Sequence, residues 1–192
     1  MFWALELPVK ITFWILVAVV VLVMIVGNGR NWAPLKSLAI ISSVVFIGFV
    51  PSCAIVMRIV DAQRFGLFQY ASYSDVQDFR IERFLPPAAQ NITLEKTFNG
   101  HRAKYTITES ELRSYLDGLW NAYGKYSAIP RSDLKDDESV MSEEIEDDFQ
   151  GLNWPRMGEA IRFHSPVEHD GGGATYYFDP VSGTTYHRAG YW

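Results

Sequence analysis

Two long uncharged runs open the chain, and a patterned mixture of polar and apolar residues follows them. The first run, ITFWILVAVVVLVMIVG (Ile11–Gly27), lies between Lys10 and Arg30. The second, SLAIISSVVFIGFVPSCAIVM (Ser37–Met57), is 21 residues long and lies between Lys36 and Arg58. A helix that crosses a bilayer needs about 20 predominantly apolar residues, with roughly 17 as the lower limit. Neither run carries the polar face that a buried helix of a water-soluble protein shows. The pattern therefore predicts two transmembrane helices joined by NGRNWAPLK into an antiparallel hairpin over residues 1–62. Trp3, Trp14 and Trp32 fall near the expected interfaces, where indole rings prefer to sit.

Beyond the second run the period changes. Phe65, Phe68, Tyr70, Tyr73 and Phe79 are scattered among polar residues, as in rings resting at the headgroup level. FLPPAAQ then interrupts any helix. In ITLEKTF-NG-HRAKYTIT, Ile92, Leu94 and Phe98 share one face of a strand, and Ala103, Tyr105 and Ile107 share a face of the next. Asn99-Gly100 between them is the pair that a type I′ hairpin turn favours. Thr108 and Glu111 have capping-box spacing. They precede a helical stripe of Leu112, Leu116, Leu119, Trp120 and Tyr123, with Gly124 as the stop. Met157–His164 reads as a further strand. At the end, Thr175–Phe178 and Thr184–His187 read as a hairpin around Gly183, a candidate for the left-handed region. The expected fold is α+β: the transmembrane hairpin, then a small domain (63–192) of two β-hairpins packed on one main helix.

Charge refines this outline. From Phe65 onward the chain holds 12 of its 17 basic and 20 of its 22 acidic residues, a net of −8. Such a domain repels phosphate backbones, so nucleic acid is not an expected partner. Nine acids fall between Asp133 and Gln150, against Lys135 alone. Without the alternating oxygen ligands and turn glycine of a calcium loop, this segment reads as a mobile insertion over 132–150. Sidedness is nearly balanced by the count of basic residues, which leans towards tails inside. Arg30 and Lys36 ahead of an apolar stretch ending in Val50-Pro-Ser-Cys53 are similar to a secretory signal with a lipobox. That pattern favours an extracytoplasmic domain. Cys53 itself reads as a residue within a membrane helix rather than as a lipidated one.

Candidate chemistry is sparse. His164, Glu168, His169 and Asp170 are the cluster richest in metal-ligating groups, with His164, His169 and Asp170 as weak candidates. Their H-x-x-x-x-H spacing matches no zinc motif with a mechanical rationale, and a polar loop beside Gly171–Gly173 is the simpler account. No G-x-S-x-G occurs, and the lone cysteine lies in an apolar run. No cofactor is expected. Tyr186, Tyr191 and Trp192 are the candidate partner contacts, since Tyr and Trp give large contact area at low ordering cost.

The run LPPAAQNITLEKTFNGHRAKYTITESELRSYLDGLW (Leu85–Trp120) resembles a pattern in poorly characterised bacterial membrane-anchored proteins and lipoproteins. In those proteins an LP-small-small start leads through a strand pair to a capped helix. The resemblance implies an exported domain anchored to a bacterial inner membrane and transfers no catalytic residue. The expected function is a non-enzymatic accessory or binding protein, contacting the lipid bilayer and a protein partner or membrane complex. The alternatives are a membrane-tethered metal-dependent hydrolase, or a small subunit that organises other helices.

Overall fold

A computed structural model describes residues 3–191; the side chains of residues 3–5, Trp3 among them, and of Val44 lie outside the described part. The chain divides into two compact units, Met1–Phe65 and Gly66–Trp192.

The first unit is a pair of long apolar helices, α1 (Trp3–Gly29) and α2 (Pro34–Arg64). Within them Glu6–Gly29 and Pro34–Arg64, 24 and 31 residues, are long and apolar enough to cross a membrane. Pro34 begins α2 where its missing N–H costs nothing. The helices approach closely beside the turn: a Cβ on Gly27 would stand 3.0 Å from Ser37 Oγ and 3.3 Å from the Trp32 ring. Leu22, Met24, Phe46, Ile47 and Val50 are largely exposed. That is the reverse of the burial expected for the core helices of a water-soluble fold.

The second unit is built on one antiparallel sheet of seven strands, ordered β1-β2-β3-β7-β6-β5-β4. The strands are β1 (Gly66–Ser72), β2 (Gln90–Lys96), β3 (Gly100–Thr106), β4 (Glu138–Met141), β5 (Glu159–His164), β6 (Gly173–Asp179) and β7 (Thr184–Gly190). The two expected hairpins are present as β2–β3 and β6–β7. They do not pack separately on a helix; β3 pairs with β7 from Gly100↔Gly190 to Thr106↔Thr184 and fuses them into one sheet.

Alternation places Ile92, Leu94, Ala103, Tyr105, His187, Ala189, Tyr176 and Phe163 on one face. Covering it are α4 (Glu109–Tyr123) through Leu112 and Leu116, and the short α3 (Phe79–Glu82) with Ile81, Phe84 and Leu85. The α4 start is the expected capping box, Thr108 Oγ1 accepting from the Glu111 N–H while the Glu111 carboxylate accepts from the Thr108 N–H. Tyr123 does not join the buried stripe and stands exposed.

Three local expectations are corrected. Asn99-Gly100 does not form a type I′ turn, since neither residue has positive φ. Instead Thr97–Gly100 make a four-residue loop closed by Thr97 N–H to the Gly100 carbonyl, inside the Lys96↔His101 pair. Gly100 is needed for another reason: a Cβ there would collide with the Ala189 carbonyl on β7. The rings at Phe68 and Tyr70 belong to strand β1. The acidic segment, expected as a mobile insertion, forms β4 and α5 (Ser142–Phe149). Val140, Ile145 and Phe149 are apolar positions within the acidic run, and they build a second core with Met157, Ala160, Tyr177 and Tyr186 on the opposite sheet face. The buried Arg162 guanidinium binds Glu138 and Glu144, so the segment's charge is tied to the sheet. Gly183 takes φ 66° in the β6–β7 turn, as its position suggested.

Candidate functional site

Of the residues expected to touch a partner, Tyr186 is buried and Tyr191 half-buried. Tyr186 is only 4 % exposed, its hydroxyl donates to the Pro155 carbonyl at 2.6 Å, and its ring meets Phe149 and Trp154 edge-on. It is a core residue, which corrects its reading as a partner contact. On β7 it falls on the face that α5 covers, packed with Ile145 and Phe149 of the acidic segment. Tyr191 is held in the sheet margin: its N–H bonds the Asn99 carbonyl and its hydroxyl donates to the Gly100 carbonyl. The Arg80 guanidinium lies 5.3 Å from its ring centre. Burial pushes the Tyr191 phenol up to about 12. Trp192 lies outside the described residues.

The weak metal candidates do not converge. The His164 N–H and ring Nδ1 both engage Asp136 Oδ1 at 2.9 Å, and the His164 carbonyl accepts from Trp120 Nε1. Burial alone would raise the Asp136 carboxyl; hydrogen bonds from His164 and Arg131 outweigh it and hold the group below its usual range. Asp170 accepts from the Gly172 N–H, Glu168 binds Arg83, and His169 faces solvent. Among the described residues no group of three or more His, Cys, Asp or Glu side chains could hold a metal ion.

Exposed aromatic surface gathers instead where α4 ends. Gly124–Tyr126 forms a single tight turn there, and Ser127 locks it to the β5–β6 loop. The Val167 N–H donates to Ser127 Oγ at 3.0 Å, and the Ala128 N–H donates to the Val167 carbonyl at 2.7 Å. The result is a groove of about 380 Å³ with Leu119, Tyr123, Tyr126, Phe84 and Val167 in its walls and the Arg83–Glu168 pair at its margin. Tyr123 and Tyr126 are 54 % and 63 % exposed and stand together at the end of α4. The two serine hydroxyls of the lining are engaged: Ser127 Oγ donates to the Ile129 carbonyl, and Ser165 Oγ donates to the Pro166 carbonyl while accepting from Ala174 N–H. Phe84, Leu119, Val167 and the two tyrosines give the groove apolar and aromatic walls suited to an apolar or aromatic group, and Glu168 and His169 complete its lining.

A second polar feature escaped the sequence reading. His101 on β3 and His187 on β7 are fully buried with their Nε2 atoms 2.7 Å apart, and His187 Nδ1 lies 3.2 Å from the Tyr105 hydroxyl. One Nε2 carries the shared proton and the other accepts it. Burial is the main cause that pushes His101 down to about 3, and it holds His187 well below its ordinary value, with His101 adding to the effect. The sequence signal was available: both histidines stand in phase with inward residues, Ala103 and Tyr105 on one strand, Thr185 and Ala189 on the other. The pair is sealed from solvent and stands outside the groove lining.

No protein-family model, curated protein or solved structure matches this chain.

Proposed function

We propose that this protein is a non-enzymatic, membrane-anchored binding or accessory protein whose α1–α2 hairpin sits in the bilayer, and whose α+β domain holds an apolar or aromatic segment of a protein partner or membrane complex. The observation that carries the reading is the groove at the end of α4. It combines exposed Tyr123 and Tyr126 with hydroxyls already engaged by the backbone. Large, stiff aromatic rings at a concave surface are the usual anchors of protein recognition. The two long apolar helices support membrane insertion. A bacterial inner membrane with the domain on the extracytoplasmic side is the proposed placement, resting on the lipobox-like run at Val50–Cys53 and on the likeness of residues 85–120 to exported proteins.

The test is photo-crosslinking in native membranes from a photoreactive amino acid at position 123 or 126, with Val181, 94 % exposed on a distant turn, as control. A discrete adduct from 123 and 126 that is absent from 181, and that disappears with Leu119→Glu, is the expected result. Equal labelling from all three positions would refute the groove as the contact. Sidedness is read separately from reporters active on only one side of the membrane, fused after residue 192.

A further inference from the structure

The seven-stranded sheet has two edges of opposite character. The β4 edge is guarded: Glu138–Met141 is four residues long and follows Asp136 and Asp137. Short, charged edge strands are how proteins block pairing with another chain. The β1 edge carries none of these devices. Gly66–Ser72, GLFQYAS, is seven residues long and has no charge and no proline. On one side it pairs with β2 from Gly66↔Lys96 to Ser72↔Gln90. Among the described residues, no hydrogen bond beyond that ladder engages Gly66–Ala71. Leu67 is 62 % exposed, and Gln69 and Ala71 are exposed with it.

From this edge we infer that two copies of the chain associate through antiparallel β1–β1 pairing centred on Gln69, extending the sheet across both domains. The strand suits a second copy as its occupant, because it is complementary to itself. Identical antiparallel strands place each residue opposite its mirror position, so Gln69 meets Gln69, Phe68 meets Tyr70, Leu67 meets Ala71, and Gly66 meets Ser72. Like charges directly opposite one another oppose pairing, and a self-pairing strand must therefore avoid charge at and near its centre, as this one does. Gln69 facing itself offers a reciprocal amide hydrogen bond. Phe68 and Tyr70 already stack with centroids 6.5 Å apart beneath the Lys96 ammonium, 5.1 and 5.4 Å from the two rings. Pairing sets a second such couple alongside, on the same sheet face. An isologous contact of this kind closes on itself as a dimer rather than running on as a filament. The inference is independent of what the Tyr123–Tyr126 groove holds.

The experiment uses the full chain in lipid vesicles with Cys53→Ser, so that introduced thiols are the only ones. In the inferred register, Gln69→Cys faces its own copy within the roughly 4.4–6.8 Å Cα separation that a disulfide spans. Leu67→Cys lies about 14 Å along the strand from its own copy and opposite Ala71 instead. Gln69→Cys should therefore oxidise to a dimer about tenfold faster than Leu67→Cys or Ala71→Cys alone, and a mixture of the latter two should match it. Because position 69 is exposed, charge there tests the edge without touching the core. Gln69→Lys and Gln69→Glu should each weaken dimerisation about fivefold, and an equal mixture of the two should restore it. Dimer formation without this register dependence, or no dimer from Gln69→Cys, overturns the inference; strand addition by a different protein or contact with lipid would give that second result.

Discussion

The His101–His187 pair makes the domain acid-labile in a calculable way. Both rings are neutral and fully buried in the folded state, with His101 held near 3 and His187 well below its ordinary value. In the unfolded chain each titrates at about 6.5. The folded pKa is depressed, so as pH falls below the unfolded value the unfolded chain takes up protons that the folded one refuses. Stability is therefore greatest above pH 6.5 and falls through the window down towards pH 3. Each histidine removes about 1.4 kcal/mol per pH unit in that window, which between pH 7 and 5 integrates to about 2 kcal/mol per ring, or about 4 kcal/mol for the pair. Against a total of about 5–15 kcal/mol for an ordinary domain, that loss is large. Paired carboxylates such as Asp136 share the sign but lose their contribution at lower pH, because their unfolded pKa lies near 3.8. Pulse proteolysis in urea, on the full chain in detergent micelles at pH 7, 6 and 5, measures the effect. His101→Leu should halve the loss between pH 7 and 5, even if it lowers stability at pH 7. An unchanged pH dependence in that variant would refute the reasoning, whatever the absolute stabilities.

Three further perturbations follow from the packing. Gly100→Ala drives a Cβ into the Ala189 carbonyl, a backbone atom that cannot rotate aside, and should cost about 1–3 kcal/mol in urea denaturation. Thr108→Ala removes the side chain that accepts from the Glu111 N–H and should cost about 1 kcal/mol, visible as faster amide exchange in the first turn of α4. Phe149→Ala empties the centre of the second core and should cost about 3 kcal/mol, with protease cutting between 142 and 157 before the rest of the sheet loosens. Simultaneous cutting throughout the domain would show instead that the two cores melt as one.

What was legible in the chain was local. The β2–β3 pair, the capped α4 and the β6–β7 hairpin each announce themselves through alternation, capping residues or a glycine at a turn, all within a dozen or so residues. The joining of β3 to β7 could not be read that way, because its partners stand more than 70 residues apart in sequence and each strand is inward-facing whichever neighbour it takes. Strand β1 was hidden by its position just after the apolar α2, where Phe68 and Tyr70 look like interfacial rings. The acidic segment misled for a compositional reason. Its burial rests on Val140, Ile145 and Phe149, and nine carboxylates around them mask the 3.6-residue period of α5. The groove was the least legible element of all, since Arg83 follows α3, Tyr123 and Tyr126 come from the end of α4 and the turn after it, and Val167 lies in the β5–β6 loop.

The strand order also bears on how the protein is made. β7 is the last of the seven strands to be synthesised, yet it lies between β3 and β6 in the middle of the sheet. Roughly 80 residues separate the end of β3 from the end of β7, about 4–16 s of translation at roughly 5–20 residues per second. Throughout that interval β3 presents an open edge carrying Ala103 and Tyr105, with the helices α1 and α2 already complete upstream. A nascent chain in this state exposes an unpaired strand edge of the kind holding chaperones bind, and a message broken before the codon for Thr184 lacks the strand that joins β1-β2-β3 to β6-β5-β4.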